Sequence, residues 1–201
     1  MFSTVVIYCL FCTLLGHERY MEVRELALKG ILELRPRVFS DERGYFFESF
    51  NEVTFKNLGI ESQFVQDNQS FSKAGVVRGL HFQNPPYQQG KLVRVIQGRV
   101  LDIVVDIRTN SPTYGQSLSV ELDALDMKML YIAPGFAHGF SALEDCVFQY
   151  KCTENYHRES ESGIHPFDPD LKINWGVSNP IVSEKDTQLP YFSNLVSRFN
   201  L

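Results

Sequence analysis

The stretch KLVRVIQGRVLDIVVDI, residues 91–107, holds two runs of mainly β-branched and aliphatic residues on either side of Gln97-Gly98. Such residues favour strands, and a glycine between two runs of them is typical of a tight turn. The stretch therefore predicts a β-hairpin that joins residues 91–96 to residues 100–107. Because side chains alternate along a strand, one face of the second run carries only aliphatic residues: Leu101, Ile103, Val105 and Ile107.

Similar short runs recur along the rest of the chain and are separated by turn signals rich in Gly, Pro, Asn and Asp. They predict further strands over 118–122, 129–132 and 147–153. Helical periodicity is present at 51–58 and, less regularly, at 186–199. Many short strands with frequent turns are typical of an all-β sandwich or barrel, here with a few short accessory helices.

The composition is that of a globular protein. The chain has 201 residues, of which 44% are hydrophobic and 21% are charged, so it can bury a core and is not disordered. The 19 basic and 24 acidic residues give a net charge of −5, which argues against a nucleic-acid partner or an anionic membrane surface. Residues 21–201 contain no repeat or linker and are expected to form a single domain.

Residues 1–20 differ from the rest of the chain. The segment 2–15 is uncharged but shorter than the roughly 20 residues that a membrane-spanning helix needs. A secretory signal would carry Lys or Arg before its apolar core, but no Lys or Arg precedes Arg19 here. We expect residues 1–20 to be an apolar extension without a role in function, either upstream of a native start at Met21 or a weak signal or anchor.

The four cysteines do not have the pattern of a disulfide framework. Cys9 and Cys12 form a C-x-x-C pair in an apolar run, without the βαβ pattern of a thioredoxin-like site. Cys146 and Cys152 lack the companion residues of a zinc site. Reduced thiols in a cytoplasmic protein are expected.

Two histidine motifs are present, RGLHFQ at 78–83 and PGFAHGF at 134–140. Their arrangement resembles the two motifs of the cupin superfamily, which implies a cupin-type jelly roll, also called a double-stranded β-helix. In metal-binding cupins the first motif supplies two histidines and a later Glu, and the second supplies one more histidine. Here Gln83 replaces the second histidine and no Glu lies between Gln83 and Gly98. With only two imidazoles left, no metal site is expected.

Further motifs in chain order make the resemblance more specific. They are RGYFFE at 43–48, QDN at 66–68, GKLVRV at 90–95, DIR at 106–108, SPTYG at 111–115 and SEKD at 183–186. With the histidine motifs they resemble the dTDP-4-dehydrorhamnose 3,5-epimerase family over about residues 31–190. The resemblance implies an isomerase of the rhamnose pathway, hence of cell-surface polysaccharide synthesis. It also implies a dTDP-linked 4-keto sugar as substrate, no cofactor, and a homodimer.

The chemistry of that family has clear requirements. The C–H bonds at C3 and C5 of a 4-keto sugar are acidic because each adjoins the carbonyl, so epimerisation needs a base, an enolate stabiliser and an acid on the opposite face. His81 is the candidate base, because imidazole titrates near neutral pH. A carboxylate should hold its far nitrogen. Spacing leaves Asp168, Asp170 and Asp186 open; Asp168-Pro169-Asp170 is more typical of a turn, and the family pattern favours Asp186.

The other roles are implied by the resemblance. Lys91 would neutralise the enolate oxygen, and Tyr150 would be the acid opposite His81. Tyr156 lies six residues after Tyr150, hence on the same face if the strand is regular. The alternatives are a solvated surface charge for Lys91 and packing roles for the two tyrosines. The expected substrate contacts, with arginines for the diphosphate, are Arg43, Phe46, Glu48, Gln66, Asn68, Arg78, His138 and Tyr156.

Three other functions remain open on the sequence. The first is an epimerase at C3 or C5 only, or a ketoisomerase, on another nucleotide-linked 4-keto sugar. The second is a non-catalytic sugar-binding cupin, against which the intact set of His81, Lys91, Tyr150 and Asp186 argues. The third is a metal-dependent cupin oxygenase.

Overall fold

Residues 21–60 and 63–200 are described by the structure, a computed structural model. The predictions for residues 1–20 lie outside the described residues. The described part contains fourteen strands: β1 (Met21–Glu25), β2 (Ile31–Pro36), β3 (Phe39–Asp41), β4 (Gly44–Phe46), β5 (Gln66–Ser72), β6 (Val76–Gln83), β7 (Lys91–Gln97), β8 (Arg99–Asp106), β9 (Ser117–Asp123), β10 (Met129–Ile132), β11 (Phe136–Ala142), β12 (Cys146–Cys152), β13 (Glu161–Gly163) and β14 (Ile181–Val182). Two short helices accompany them, α1 (Glu52–Asn57) and α2 (Glu184–Thr187).

The strands form two main sheets. The first has the order β1-β2-β10-β7-β12-β5, and the second has the order β13-β6-β11-β8-β9. All neighbours within these two orders are antiparallel, whereas β14 joins the edge of the second sheet in parallel with β6. Strands β3 and β4 form a separate, exposed hairpin. The prediction of an all-β jelly roll with short accessory helices is confirmed.

The two sheets pack face to face over one hydrophobic cluster. Val93 and Phe148 come from the first sheet, and Val104 and Phe140 come from the second. A second cluster lies on the outer face of the second sheet, where Ile103 packs with residues of the C-terminal segment. Both faces of β8 are therefore buried, which explains why five of its eight residues are aliphatic and occur on both faces.

The predicted hairpin around Gln97-Gly98 is wrong. Strand β7 pairs with β10 and β12 in the first sheet, whereas β8 pairs with β11 and β9 in the second. The tight turn exists, with Gly98 at a φ of +76°, but it carries the chain from one sheet to the other. A turn signal fixes the local bend and leaves the pairing partners undetermined, since these are chosen by packing between distant segments.

The other predicted elements fare differently. Strands β9, β10 and β12 confirm the runs predicted over 118–122, 129–132 and 147–153. Helix α1 confirms the prediction over 51–58 and begins after Asn51, whose side chain accepts hydrogen bonds from two backbone N–H groups of the first turn. The continuous helix over 186–199 is wrong: only α2 and a 3-10 turn at Phe192–Asn194 form there, and Pro190 interrupts the segment.

Two further observations concern membranes and cysteines. Over residues 21–60 and 63–200, no helix is long and apolar enough to cross a bilayer. Cys146 and Cys152 are buried and unbridged, as expected from the sequence.

Gly98 provides a test of the turn between the two sheets. A Cβ added at Gly98 would lie 2.3 Å from the carbonyl oxygen of Asp145, in addition to the strain of a positive φ. We expect Gly98→Ala to lower the free energy of unfolding by at least about 2 kcal/mol, measured by denaturant titration. Gly59 is the matched control, because its φ is +82° but no heavy atom lies within 4 Å of an added Cβ. Gly59→Ala should cost about 1 kcal/mol, and equal losses in the two variants would contradict the steric explanation.

Candidate active site

A cavity of about 750 Å³ lies between the two sheets, with α2 and β14 at one side. Apolar side chains such as Val77, Phe140 and Phe148 form part of its wall. The structure brings seven of the predicted site residues together around it: Asn68, Arg78, His81, Lys91, His138, Tyr150 and Asp186. Four of these were predicted to carry the chemistry and three to contact substrate.

His81 and Asp186 form a close pair. His81 lies on β6, and Asp186 lies on α2, whose N-cap Ser183 accepts a hydrogen bond from the Asp186 N–H. The Nε2 atom of His81 is 2.6 Å from Oδ1 of Asp186, and the Gly79 N–H donates to Oδ2 at 3.3 Å. The other two candidate partners of His81, Asp168 and Asp170, lie in a turn, where the Asp168 carboxylate accepts a hydrogen bond from the Asp170 N–H.

The protonation of this pair follows from its surroundings. Burial raises the pKa of Asp186, but the hydrogen bond and charge of His81, with the Gly79 N–H, outweigh it, and the net pKa lies below the ordinary value. An ionised carboxylate only accepts hydrogen bonds, so Nε2 of His81 carries the proton. Nδ1 is then the ring nitrogen that can take a proton. Since the His81 side chain is 32% exposed, the ring remains accessible to a ligand in the cavity.

Lys91 and Tyr150 lie on the opposite sheet. Lys91 is the first residue of β7, and its ammonium is 6.0 Å from the centre of the Tyr150 ring on β12. Burial lowers the pKa of Lys91, partly offset by Cys152 and Asp102. Burial also raises the pKa of Tyr150, which keeps the phenol protonated at neutral pH. The cavity thus has an imidazole on one sheet and a protonated phenol beside a buried lysine on the other.

A second, fully buried pair lies on the second sheet. Nε2 of His138 on β11 is 2.9 Å from Oδ2 of Asp102 on β8. Burial lowers the pKa of His138, although the charge and hydrogen bond of Asp102 raise it, so the imidazole is neutral at physiological pH. Oδ1 of Asp102 has no hydrogen-bond partner among the described residues. Sequence reasoning assigned no role to Asp102; the available signal was an acidic residue between the aliphatic residues Leu101 and Ile103.

Comparison with known proteins now identifies the family. A sequence model of the family described as dTDP-4-dehydrorhamnose 3,5-epimerase matches residues 25–194. The chain belongs to this family. The enzyme of that name from Methanothermobacter thermautotrophicus is 52% identical over 164 residues, which cover 80% of this chain and 88% of the relative. The Escherichia coli K12 enzyme is 46% identical over 179 residues, which cover 88% and 97% of the two chains.

A solved structure shows the same relation in three dimensions. It is the dTDP-6-deoxy-D-glucose-3,5-epimerase of Legionella pneumophila in complex with dTDP-4-keto-L-rhamnose. Its TM-score to this chain is 0.83 at 42% identity, and the match covers 87% of this chain and 94% of the other. The family resemblance drawn from the sequence motifs is therefore confirmed.

Three residues predicted from the epimerase pattern lie outside the cavity of their own chain. Arg43 and Phe46 belong to the exposed β3–β4 hairpin, where Arg43 pairs with Asp41 at 2.5 Å and Phe46 is 69% exposed. Glu48 accepts hydrogen bonds from Asn51 and Thr54 at the start of α1. Within residues 21–60 and 63–200, none of these three residues lines the cavity that contains His81.

Gln66 and Tyr156 also lie outside the cavity wall. Strand β12 ends at Cys152, so the expectation that Tyr156 shares a strand face with Tyr150 is wrong, and Tyr156 lies in the following loop. Its hydroxyl donates to Glu161 at 2.8 Å, and Glu161 pairs with Lys185 at 2.7 Å. Lys185 does line the cavity. Sequence analysis missed Glu161 and Lys185, although Lys185 is part of the SEKD motif that supplies Asp186.

The absence of a metal site stays a prediction. Among residues 21–60 and 63–200, no three His, Cys, Asp or Glu side chains lie close enough together to hold an ion. Gln83 stands at the position of a cupin ligand histidine, and its side-chain amide forms hydrogen bonds with backbone groups of two loops.

Proposed function

We propose that this protein is a dTDP-4-dehydrorhamnose 3,5-epimerase that converts dTDP-4-dehydro-6-deoxy-D-glucose to dTDP-4-dehydro-L-rhamnose. The observation that carries the proposal is the His81–Asp186 pair on one sheet, with Lys91 and Tyr150 facing it from the other. Epimerisation requires proton removal and proton return on opposite faces, and the cavity supplies a group for each. The names of the relatives and the ligand of the Legionella pneumophila enzyme support this substrate.

Proton removal is assigned to His81. Nδ1 takes the proton from C3 or C5, and the imidazolium that forms is stabilised by the Asp186 carboxylate at 2.6 Å. The electron pair of the broken C–H bond passes to the carbonyl oxygen at C4, which becomes an enolate. Lys91 is assigned to this oxygen, and because burial has stripped part of its hydration, its charge acts in a medium of low dielectric.

Proton return is assigned to Tyr150. Its phenol, protonated at neutral pH, donates to the carbon from the face opposite His81 and so inverts the configuration. His81 then loses its proton to solvent and the phenolate regains one, which restores the enzyme for the second carbon. The proposed steps use only side chains of this chain.

The substrate diphosphate is assigned to the arginine side of the cavity. Arg78 lines it and is fixed by bonds from Nε to Ser72 at 2.9 Å and from Nη2 to the Phe71 carbonyl at 3.1 Å. A guanidinium has five N–H groups, so others remain for phosphate oxygens. Asn68 and His138 are assigned as polar contacts to the substrate.

We also propose a homodimer in which the β3–β4 hairpin of one protomer reaches the cavity of its partner. The support is that Arg43 and Phe46 belong to the substrate-binding motif, yet lie on an exposed hairpin away from their own cavity. A twofold dimer is the commonest closed assembly and would supply both residues at once. The unbridged Cys146 and Cys152 support a cytoplasmic location, where thiols stay reduced.

Replacement of the base tests the catalytic assignment. With dTDP-4-dehydro-6-deoxyglucose in deuterated water, His81→Ala should slow deuterium exchange at C3 and C5 by about 10²- to 10⁴-fold while dTDP binding changes only slightly. NMR measures the exchange and calorimetry the binding. His165→Ala is the matched control, because His165 does not line the cavity. Near-normal exchange in His81→Ala would refute the assignment.

Replacement of the acid separates the two proton transfers. Tyr150→Phe keeps the ring and its packing but removes the phenol. We expect deuterium to enter at C3 or C5 from the His81 side, while the inverted sugar forms at least about 10²-fold more slowly. Tyr156→Phe should retain product formation. The opposite result, with Tyr150→Phe normal and Tyr156→Phe inactive, would show that Tyr156 is the acid.

The dimer is tested by complementation. Light scattering should give the mass of a dimer. Arg43→Ala and His81→Ala proteins, each weakly active alone, should regain about a quarter of wild-type activity when refolded together, because half of the dimers then hold one intact site. A hairpin that serves its own cavity would leave every site defective and the mixture inactive. That outcome, or a fully active monomer, would contradict the proposed exchange.

A further inference from the structure

Gln83 ends strand β6, two residues after His81, and is only 4% exposed. Its side-chain Nε2 donates to the carbonyl of Tyr87 at 2.7 Å and to the carbonyl of Asn155 at 3.2 Å. Its Oε1 accepts the N–H of His157 at 2.7 Å. One buried amide therefore ties the strand that carries the base to two separate loops.

The loop that contains Tyr156 is held from both sides by glutamine side chains. Gln83 donates to the Asn155 carbonyl and accepts a hydrogen bond from the His157 N–H. Gln66 accepts a hydrogen bond from the Tyr156 N–H at 2.7 Å. Three consecutive residues thus have their backbone fixed by two side chains. Because a shift of this loop would break these hydrogen bonds and leave the buried amide of Gln83 without partners, the two glutamines restrict its movement.

The second loop adds to this arrangement. The Tyr87 ring stacks on the His157 ring with a centroid distance of 3.8 Å and an angle of 8°. Gln89 in the same loop donates to the Glu154 carbonyl at 2.8 Å, and this loop continues into Lys91. The segments that lead to Lys91 and away from Tyr150 are therefore joined, with Gln83 at the junction.

We propose that Gln83 is a positioning residue that fixes Tyr156 beside the Glu161–Lys185 pair, next to the cavity wall, for contact with substrate. The inference rests on the proposed function and on the substrate contact that the family resemblance implies for Tyr156. The Tyr156 hydroxyl already meets Glu161, whose partner Lys185 lines the cavity, so a shift of the loop displaces the tyrosine relative to that wall. Gln83 itself acts only through the backbone on either side of Tyr156.

The experiment measures binding and turnover separately. Gln83→Leu keeps the approximate volume and removes all three hydrogen bonds. We expect the Kd for dTDP and the KM for the sugar nucleotide to rise about tenfold, while kcat changes less than about threefold. Gln83→Glu keeps the acceptor for the His157 N–H but loses the donors, and should fall between wild type and Gln83→Leu. Gln89→Leu, which removes one bond to the same loop, is the matched control and should change Kd less than about twofold.

A double-mutant cycle shows whether the effect passes through Tyr156. In a Tyr156→Ala background, Gln83→Leu should raise the Kd for dTDP less than about twofold further, because the side chain it positions is gone. Two results would overturn the inference. One is that the losses of dTDP affinity caused by Gln83→Leu and Tyr156→Ala add up in the double variant. The other is that Gln83→Leu leaves the Kd for dTDP unchanged while the wild-type protein turns over substrate normally. If Gln83→Leu does not fold, the same cycle with Gln83→Glu decides it. A wild-type protein that binds dTDP without turnover would refute the proposed function and leave the cycle interpretable.

Discussion

The hydrogen bond between His81 and Asp186 joins residues 105 positions apart, and the site depends on it. A carboxylate loses several kcal/mol of hydration when it is buried, so it stays ionised only where donors replace the water. Asp186 has the His81 ring and the Gly79 N–H, and its short helix starts at the Ser183 cap. The parallel pairing of β14 with β6 places that helix next to His81. The C-terminal segment thus determines which ring nitrogen of His81 carries the hydrogen and which one faces away from Asp186.

The face-to-face sheets impose the second constraint. Because His81 belongs to one sheet and Tyr150 to the other, a ligand between them meets an acceptor and a donor from opposite directions. The same enclosure removes water, which lowers the pKa of Lys91 and raises that of Tyr150. His138, held by the buried Asp102, adds a further polar group to the cavity wall on the second sheet. Geometry and electrostatics of the site therefore have one origin, the burial of polar side chains between two sheets.

Local sequence was a good guide to strands and a poor guide to their partners. The runs that became β9, β10 and β12 follow from β-branched residues and turn signals, which act over a few residues. The turn at Gly98 was also correct as a turn, but a bend between two strands is compatible with a hairpin and with passage between sheets. For the site, the two histidine motifs and SEKD contain four of the seven predicted residues around the cavity, and the rest of the family resemblance indicated Asn68, Lys91 and Tyr150. Asp102, Glu161 and Lys185 were missed because their contacts join distant segments.

The sequence by itself determined the all-β class, because side chains alternate along short strands. It also determined the family and the residue types on which the proposed proton transfer depends, because short motifs contain them. Only the tertiary structure decided which aspartate meets His81, which sheet each strand joins, and that Gln83 holds loops at a position where other cupins bind metal. These features are set by packing between segments up to about a hundred residues apart. No local preference encodes such a contact, since its free energy exists only once both segments are buried against each other.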